Sequence, residues 1–148
     1  MEPALRNLLT NDHFVIDAYA GERILRVKRT AVFFHSRDEV DTSCRAVDRT
    51  LNRQQRATSC VLVDSRDALP RNDPQFEAWF SPYRKGMILG FLRAAILVRM
   101  AVGKLHVDRL LRADGNAADY ARTFVDEGFA LAWLREAFPP LDDGASGP

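Results

Sequence analysis

Cys60-Val61-Leu62-Val63-Asp64-Ser65-Arg66-Asp67-Ala68-Leu69-Pro70-Arg71-Asn72-Asp73-Pro74 is the stretch that sets the fold. Four apolar residues, Cys60 to Val63, run straight into charged and turn-forming residues, and these run into a helix start. A short apolar run bounded by turn signals reads as a strand buried on both faces, the kind found in parallel sheets. Asn72 or Asp73 can cap the next helix, with Pro74 at its first position, where the missing N–H costs nothing. In open α/β sheets, ligands and partners meet the loops at the carboxyl ends of such strands. The loop from Asp64 to Asp73 is therefore where function is expected.

On the N-terminal side, Phe14–Tyr19 and Arg23–Arg29 read as two strands joined by Ala20-Gly21-Glu22, an antiparallel hairpin. Ala31–Phe34 is a further short apolar run. Ser36 and Glu39 form a capping box, and Val40, Cys44, Val47 and Leu51 follow as one helical stripe. On the C-terminal side, a helix carries Phe76, Trp79 and Phe80, and Pro82 is expected to interrupt it before a restart through about Gly90. Ala94–Val98 is a second buried strand. It leads into a helix over 101–113 with Val102, Leu105, His106, Leu110 and Leu111 on one side and Gly115 as its stop. A short strand near Arg122–Val125 precedes a helix capped by Asp126, with Ala130, Trp133, Leu134 and Ala137 as its stripe and Pro139-Pro140 at its end. Strands alternating with helices predict an α/β domain with a parallel core. It spans 13–138, after an irregular extension over 1–12 and before a flexible tail over 139–148.

A chain of 148 residues is enough for one domain with a real core. The net charge of +1 gives no electrostatic case for nucleic acid or an anionic membrane. No apolar stretch reaches 18 residues, which argues against integral membrane association, and the amino terminus lacks a secretory apolar region. Cys44 and Cys60 fit neither a C-x-x-C pair nor a zinc spacing, and read as reduced core thiols of a cytoplasmic protein.

Three runs then resemble one family. Leu62-Val63-Asp64-Ser65-Arg66-Asp67-Ala68 with Arg71-Asn72-Asp73-Pro74-Gln75-Phe76-Glu77 is the first. Ala95–Arg99 followed by Ala101–Leu105 is the second, and Phe124–Leu134 the third. In this order they are similar to bacterial STAS-like proteins, the SpoIIAA-like relatives of anti-sigma-factor antagonists. The resemblance implies a four- to five-stranded mixed sheet with about four to five helices. It also implies a regulatory or scaffolding domain that acts by protein–protein interaction or, in some members, holds a nucleotide or lipid. In phosphorylation-regulated members a Ser or Thr stands at a helix start about nine residues beyond the strand-end Asp. Aligned on Asp64, that position falls near Asp73, with Asn72-Asp73 in place of the usual Asp-Ser. The phosphoserine switch is therefore expected to be missing. Asp73 either stands in for a permanent negative charge or simply caps its helix.

The residues themselves show no catalytic constellation. Asp64, Asp67 and Asp73 each have an Arg (Arg66, Arg71) close in sequence, which favours ionised, paired carboxylates over an acid/base pair. His13, His35 and His106 have no metal-type spacing, and neither a metal nor a cofactor is expected. Ser65 lacks the Gly-x-Ser-x-Gly context of a nucleophile. Arg99 ends a buried strand and Lys104 follows on the next helix. They are read either as an anion site or, through an Arg99–Asp64 ion pair, as a brace for the loop. The candidate partner or ligand surface is thus Asp64, Ser65, Arg66, Asp67, Arg71, Asn72, Asp73, Arg99 and Lys104. Phe76, Trp79, Phe80 and Tyr83 belong to a segment, 76–92, richer in large apolar groups than one helix face needs. They are candidates for an interface or for a lid over a small apolar ligand. The leading expectation is an unknown protein partner, the alternative an apolar-ligand carrier, and a homodimer is left open.

Overall fold

The computed structural model describes residues 4–71 and 73–139. Six strands lie side by side in sequence order. β1 (Leu5–Thr10), β2 (Phe14–Tyr19) and β3 (Ile24–Arg29) are antiparallel neighbours. β3, β4 (Cys60–Asp64), β5 (Ala94–Leu97) and β6 (Ala121–Phe124) are parallel, so each of the last three strands is reached by a crossover. The helices are α1 (Arg37–Asn52), α2 (Pro74–Ile88), α3 (Ala101–Ala113) and α4 (Glu127–Arg135).

Period-two alternation divides the core between the two faces of the sheet. Ile16, Val27, Val61, Val63 and Ile96 point to one face and pack with α1, α2 and Leu111 of α3. Ile24, Leu62, Ala95 and Leu97 point to the other and pack against Ala130, Leu131 and Leu134 of α4. The expected stripe of α1 is buried throughout, and Ser36 caps it by accepting from the Glu39 backbone N–H at 3.2 Å. Both cysteines lie in these cores, where burial pushes the Cys44 thiol up to about 12 and that of Cys60 to about 11.

Three expectations need correction. The stretch 1–12, read as irregular, holds an edge strand. Its period of two is broken by a bulge between Asn7 and Leu9, which hid the pattern. Pro82 does not interrupt α2. Removing one helix bond costs about 3 kcal/mol. Phe76, Phe80, Met87 and Ile88 straddle the proline and are all buried, and burying each contributes roughly 1.5–3 kcal/mol. The apolar side expected of α3 is split. Leu111 is buried, whereas Val102 is 71% exposed and Leu105 60%, and His106 is exposed too.

Candidate functional site

Asp64 ends β4 on the same face as Cys60 and Leu62, the α4 side, and is almost fully buried. Its carboxylate accepts from the Arg66 side chain at Nε (3.0 Å) and at the terminal nitrogen (2.8 Å), and from the Arg66 backbone N–H at 3.1 Å. Arg66 also donates to Glu127 at the start of α4 (3.0 Å), and the other Glu127 oxygen accepts from the Tyr19 hydroxyl at 2.9 Å. Burial by itself would raise the Asp64 pKa, but the hydrogen bonds and charge of Arg66 outweigh it and hold the carboxyl below its usual value. These hydrogen bonds raise the Arg66 pKa in turn. The network locks the charges of the strand end among themselves and ties the loop to α4.

The rest of the loop makes separate pairs. Asp67 lies 3.4 Å from Lys28 and 3.8 Å from Arg99. The expected Arg99–Asp64 ion pair is therefore replaced by Arg99–Asp67, because the Asp64 side chain faces α4 and is already filled by Arg66. Arg71 donates to Asp73 at 2.7 Å and to the Phe34 carbonyl at 2.7 Å, and its guanidinium lies over the Phe33 and Phe76 rings at 4.2 and 4.1 Å. Asp73 caps α2 by accepting from the Phe76 backbone N–H at 2.7 Å. Those two hydrogen bonds, Arg71 first, lower its pKa. Asn72 lies outside the described residues. Lys104 is exposed on α3 and borders a shallow hollow with Phe124 and Trp133 at the β6 edge, apart from Asp64 and Arg66.

Between α2 and α3 the packing over the sheet is incomplete. A cleft of about 350 Å³ opens there, with Val63, Ile96 and Val98 as its floor. Phe76, Phe80 and Met87 form one wall, Gly103, Val107 and Leu110 the other, and Ser65 with the 68–71 loop closes one end. Its volume lies in the lower part of the range usual for small-molecule sites. Phe76 and Phe80 are therefore wall residues, stacked at 5.2 Å, rather than exposed groups. Trp79 and Tyr83 are partly buried and pack against the core, and the Tyr83 hydroxyl donates to Asp41 of α1 at 2.8 Å. The surplus of apolar groups is absorbed because α2 packs on α1, on the sheet and along the cleft at once. Both ends of α2 are held: Asp73 caps the first turn, and Arg56 donates to the Gly86 and Leu89 carbonyls at 2.7 and 2.8 Å.

No protein-family model and no curated protein sequence matches the chain. One solved structure does resemble it, an uncharacterised protein of the DUF3478 family from Shewanella loihica, described as having a SpoIIAA-like fold. The TM-score is 0.61 at 15% identity, over 85% of this chain and 98% of the other. The chain has a SpoIIAA-like fold. At that identity the likeness speaks for the fold, as the three sequence runs suggested. The six strands exceed the upper end of the four to five expected only by the edge strand β1. No described helix is long and apolar enough to cross a membrane.

Two residues of this SpoIIAA-like fold escaped the sequence reading. Glu127 is the second acid of Asp126-Glu127, and only the fold brings it to Arg66, 61 positions away. Arg29 lines the cleft, and its signal was visible: Leu25, Val27 and Arg29 alternate on the core-facing side of β3, so the strand ends with a cation aimed at the core.

Proposed function

We propose that the protein binds a small apolar ligand in the α2–α3 cleft. The observation that carries this reading is the cleft itself, a space of about 350 Å³ walled by Phe76, Phe80, Met87 and Leu110 at the carboxyl ends of parallel strands. Close-packed interiors leave few voids larger than a water molecule. The position is the one that open α/β sheets use for ligands. The charged residues of the loop support this assignment by being occupied with one another, which leaves them few bonds to offer a partner. Asp73, which the family resemblance places near the phosphoacceptor position, is used as a helix cap, so this reading includes no phosphoserine switch.

The test is titration with a neutral apolar fluorophore, N-phenyl-1-naphthylamine. Saturable binding to one site is expected, weakened about tenfold or more in Gly103→Leu. A Cβ at Gly103 would sit 3.9 Å from Val98 Cβ, an ordinary contact, so the new side chain enters the cleft without disturbing the backbone. Non-saturable binding, or equal affinity in the variant, rules the reading out.

A second reading, protein recognition by the 64–73 loop and α2, is favoured by Leu69, which is 52% exposed at the loop's tip. A partner captured by the wild type and lost with Leu69→Glu would establish it, and capture that survives the substitution would dismiss it.

A further inference from the structure

The floor and walls of the cleft are mostly apolar, and charged side chains stand around them: Arg29, Arg71, Arg84 and Lys85 with Glu77 and Asp114. Arg71 is engaged by Asp73, and Arg84 by Glu77 and, at 3.4 Å, by Asp114. Lys85 lies 3.7 Å from the same Asp114. Arg29 is different. Its strand neighbour Arg26 pairs with Asp17 at 3.2 Å, but among the described residues Arg29 has neither an ion pair nor a side-chain hydrogen bond. Its guanidinium lies 4.7 Å from the centre of the Phe80 ring and faces the cleft. Protein surrounds it on most sides, and this burial lowers its pKa.

A cation held in apolar surroundings without a counter-charge is costly, and its neighbours usually supply one. Here the ring face of Phe80 supplies part of the compensation, and the open side of the guanidinium is the cleft. Arginine's planar fork matches a carboxylate or phosphate with two parallel hydrogen bonds. Once Arg71, Arg84 and Lys85 are matched with Asp73, Glu77 and Asp114, Arg29 is the lining cation left over.

We propose that the ligand of the α2–α3 cleft is an amphipathic anion, its carboxylate or other anionic head on Arg29 and its hydrocarbon along the Phe76, Phe80 and Leu110 walls. This inference rests on the cleft being a ligand site and adds the ligand's charge. Without a counter-charge in the site, an apolar cleft would prefer the neutral member of any pair, because an ionised carboxylate loses its hydration on entry.

The experiment is displacement of bound N-phenyl-1-naphthylamine by sodium decanoate and by decanol at pH 7.5, with wild type, Arg29→Met and Arg29→Lys. The wild type is expected to prefer decanoate by about tenfold, the strength of one good charge-assisted contact. Arg29→Met should abolish or reverse the preference while keeping decanol affinity, and Arg29→Lys should retain part of it. Equal or stronger displacement by decanol in the wild type overturns the anionic head and leaves the cleft reading standing. A preference that survives in Arg29→Met overturns the role of Arg29. Failure of the fluorophore and both displacers to bind overturns both proposals. The wild-type comparison decides the ligand's charge even if a variant does not fold.

Discussion

On the α4 side of the sheet, the carboxyl end of β4 is closed: Asp64, Arg66, Glu127 and Tyr19 satisfy one another, and α4 packs directly on Leu62 and Leu97. On the opposite side, strand ends only a few residues away open into the cleft between α2 and α3, and Arg29 stands there with no ion pair among the described residues. The same strands supply both environments, because alternate residues face opposite ways. Charge alone therefore does not mark the working side. On the closed face each charged residue of the network is consumed by its neighbour. The open face is charged too, but Arg29 there is left over after the pairing, and it is the group with something left to bind. A dense polar cluster can be structure, and a gap beside one cation can be a site.

The sharpest contrast is in packing. Leu62→Ala, at a fully buried position under α4, is expected to cost about 3 kcal/mol in urea denaturation, because the closed face leaves a cavity. Leu110→Ala, on a wall that already borders open space, is expected to cost under about 1 kcal/mol. Similar losses at the two positions would mean that the cleft side is packed as tightly as the other.

Next comes the polar network. Arg66→Ala leaves Asp64 buried without its main partner. The loss is expected to be about 2 kcal/mol, below the 3–5 kcal/mol typical of a fully buried pair, because the Arg66 side chain is 37% exposed. Arg71→Ala should cost less, since the Asp73 carboxylate it pairs with is exposed and screened by solvent. The reverse order in urea midpoints would relocate the structural brace from the α4 side to the cleft side.

The smallest effect is the dependence of the first on pH. The Asp64 carboxyl is held below its ordinary value by Arg66, against its burial. A depressed carboxyl stabilises the fold fully above its unfolded pKa, about 3.9, and that contribution fades as pH falls through the lower folded value. The stability gap between wild type and Asp64→Asn should therefore be constant from pH 7 to pH 5 and close in stronger acid. A gap that persists undiminished at pH 2 would show that the effect is steric rather than ionic.

Much of this was legible in the sequence because it was local. The Cys60–Val63 run, the Ser36–Glu39 capping box and the Asp73-Pro74 helix start each encode their structure within a few residues, and each element formed where expected. What escaped depends on residues distant in the chain. Pro82 is tolerated because side chains on either side of it bury on strands far away in sequence. Arg66 reaches Glu127 as a second partner beside Asp64, and only the β6–α4 connection delivers it. The cleft is an absence between two helices, and the amphipathic pattern of α3 misplaced it, because Val102 and Leu105 imitate an inward stripe while facing out. Arg29 was the exception, a cation on the apolar phase of β3 that alternation alone could have flagged.

The contrast between the faces is tested most directly by amide chemical shifts in an N-phenyl-1-naphthylamine titration of the wild-type protein. Shifts are predicted to concentrate at Val63, Ile96, Gly103 and Leu110, with Arg66, Glu127 and Leu134 on the closed side unmoved. Shifts confined to the α4 side, or spread evenly over the exposed apolar residues Val102, Leu105 and Phe129, would contradict the account.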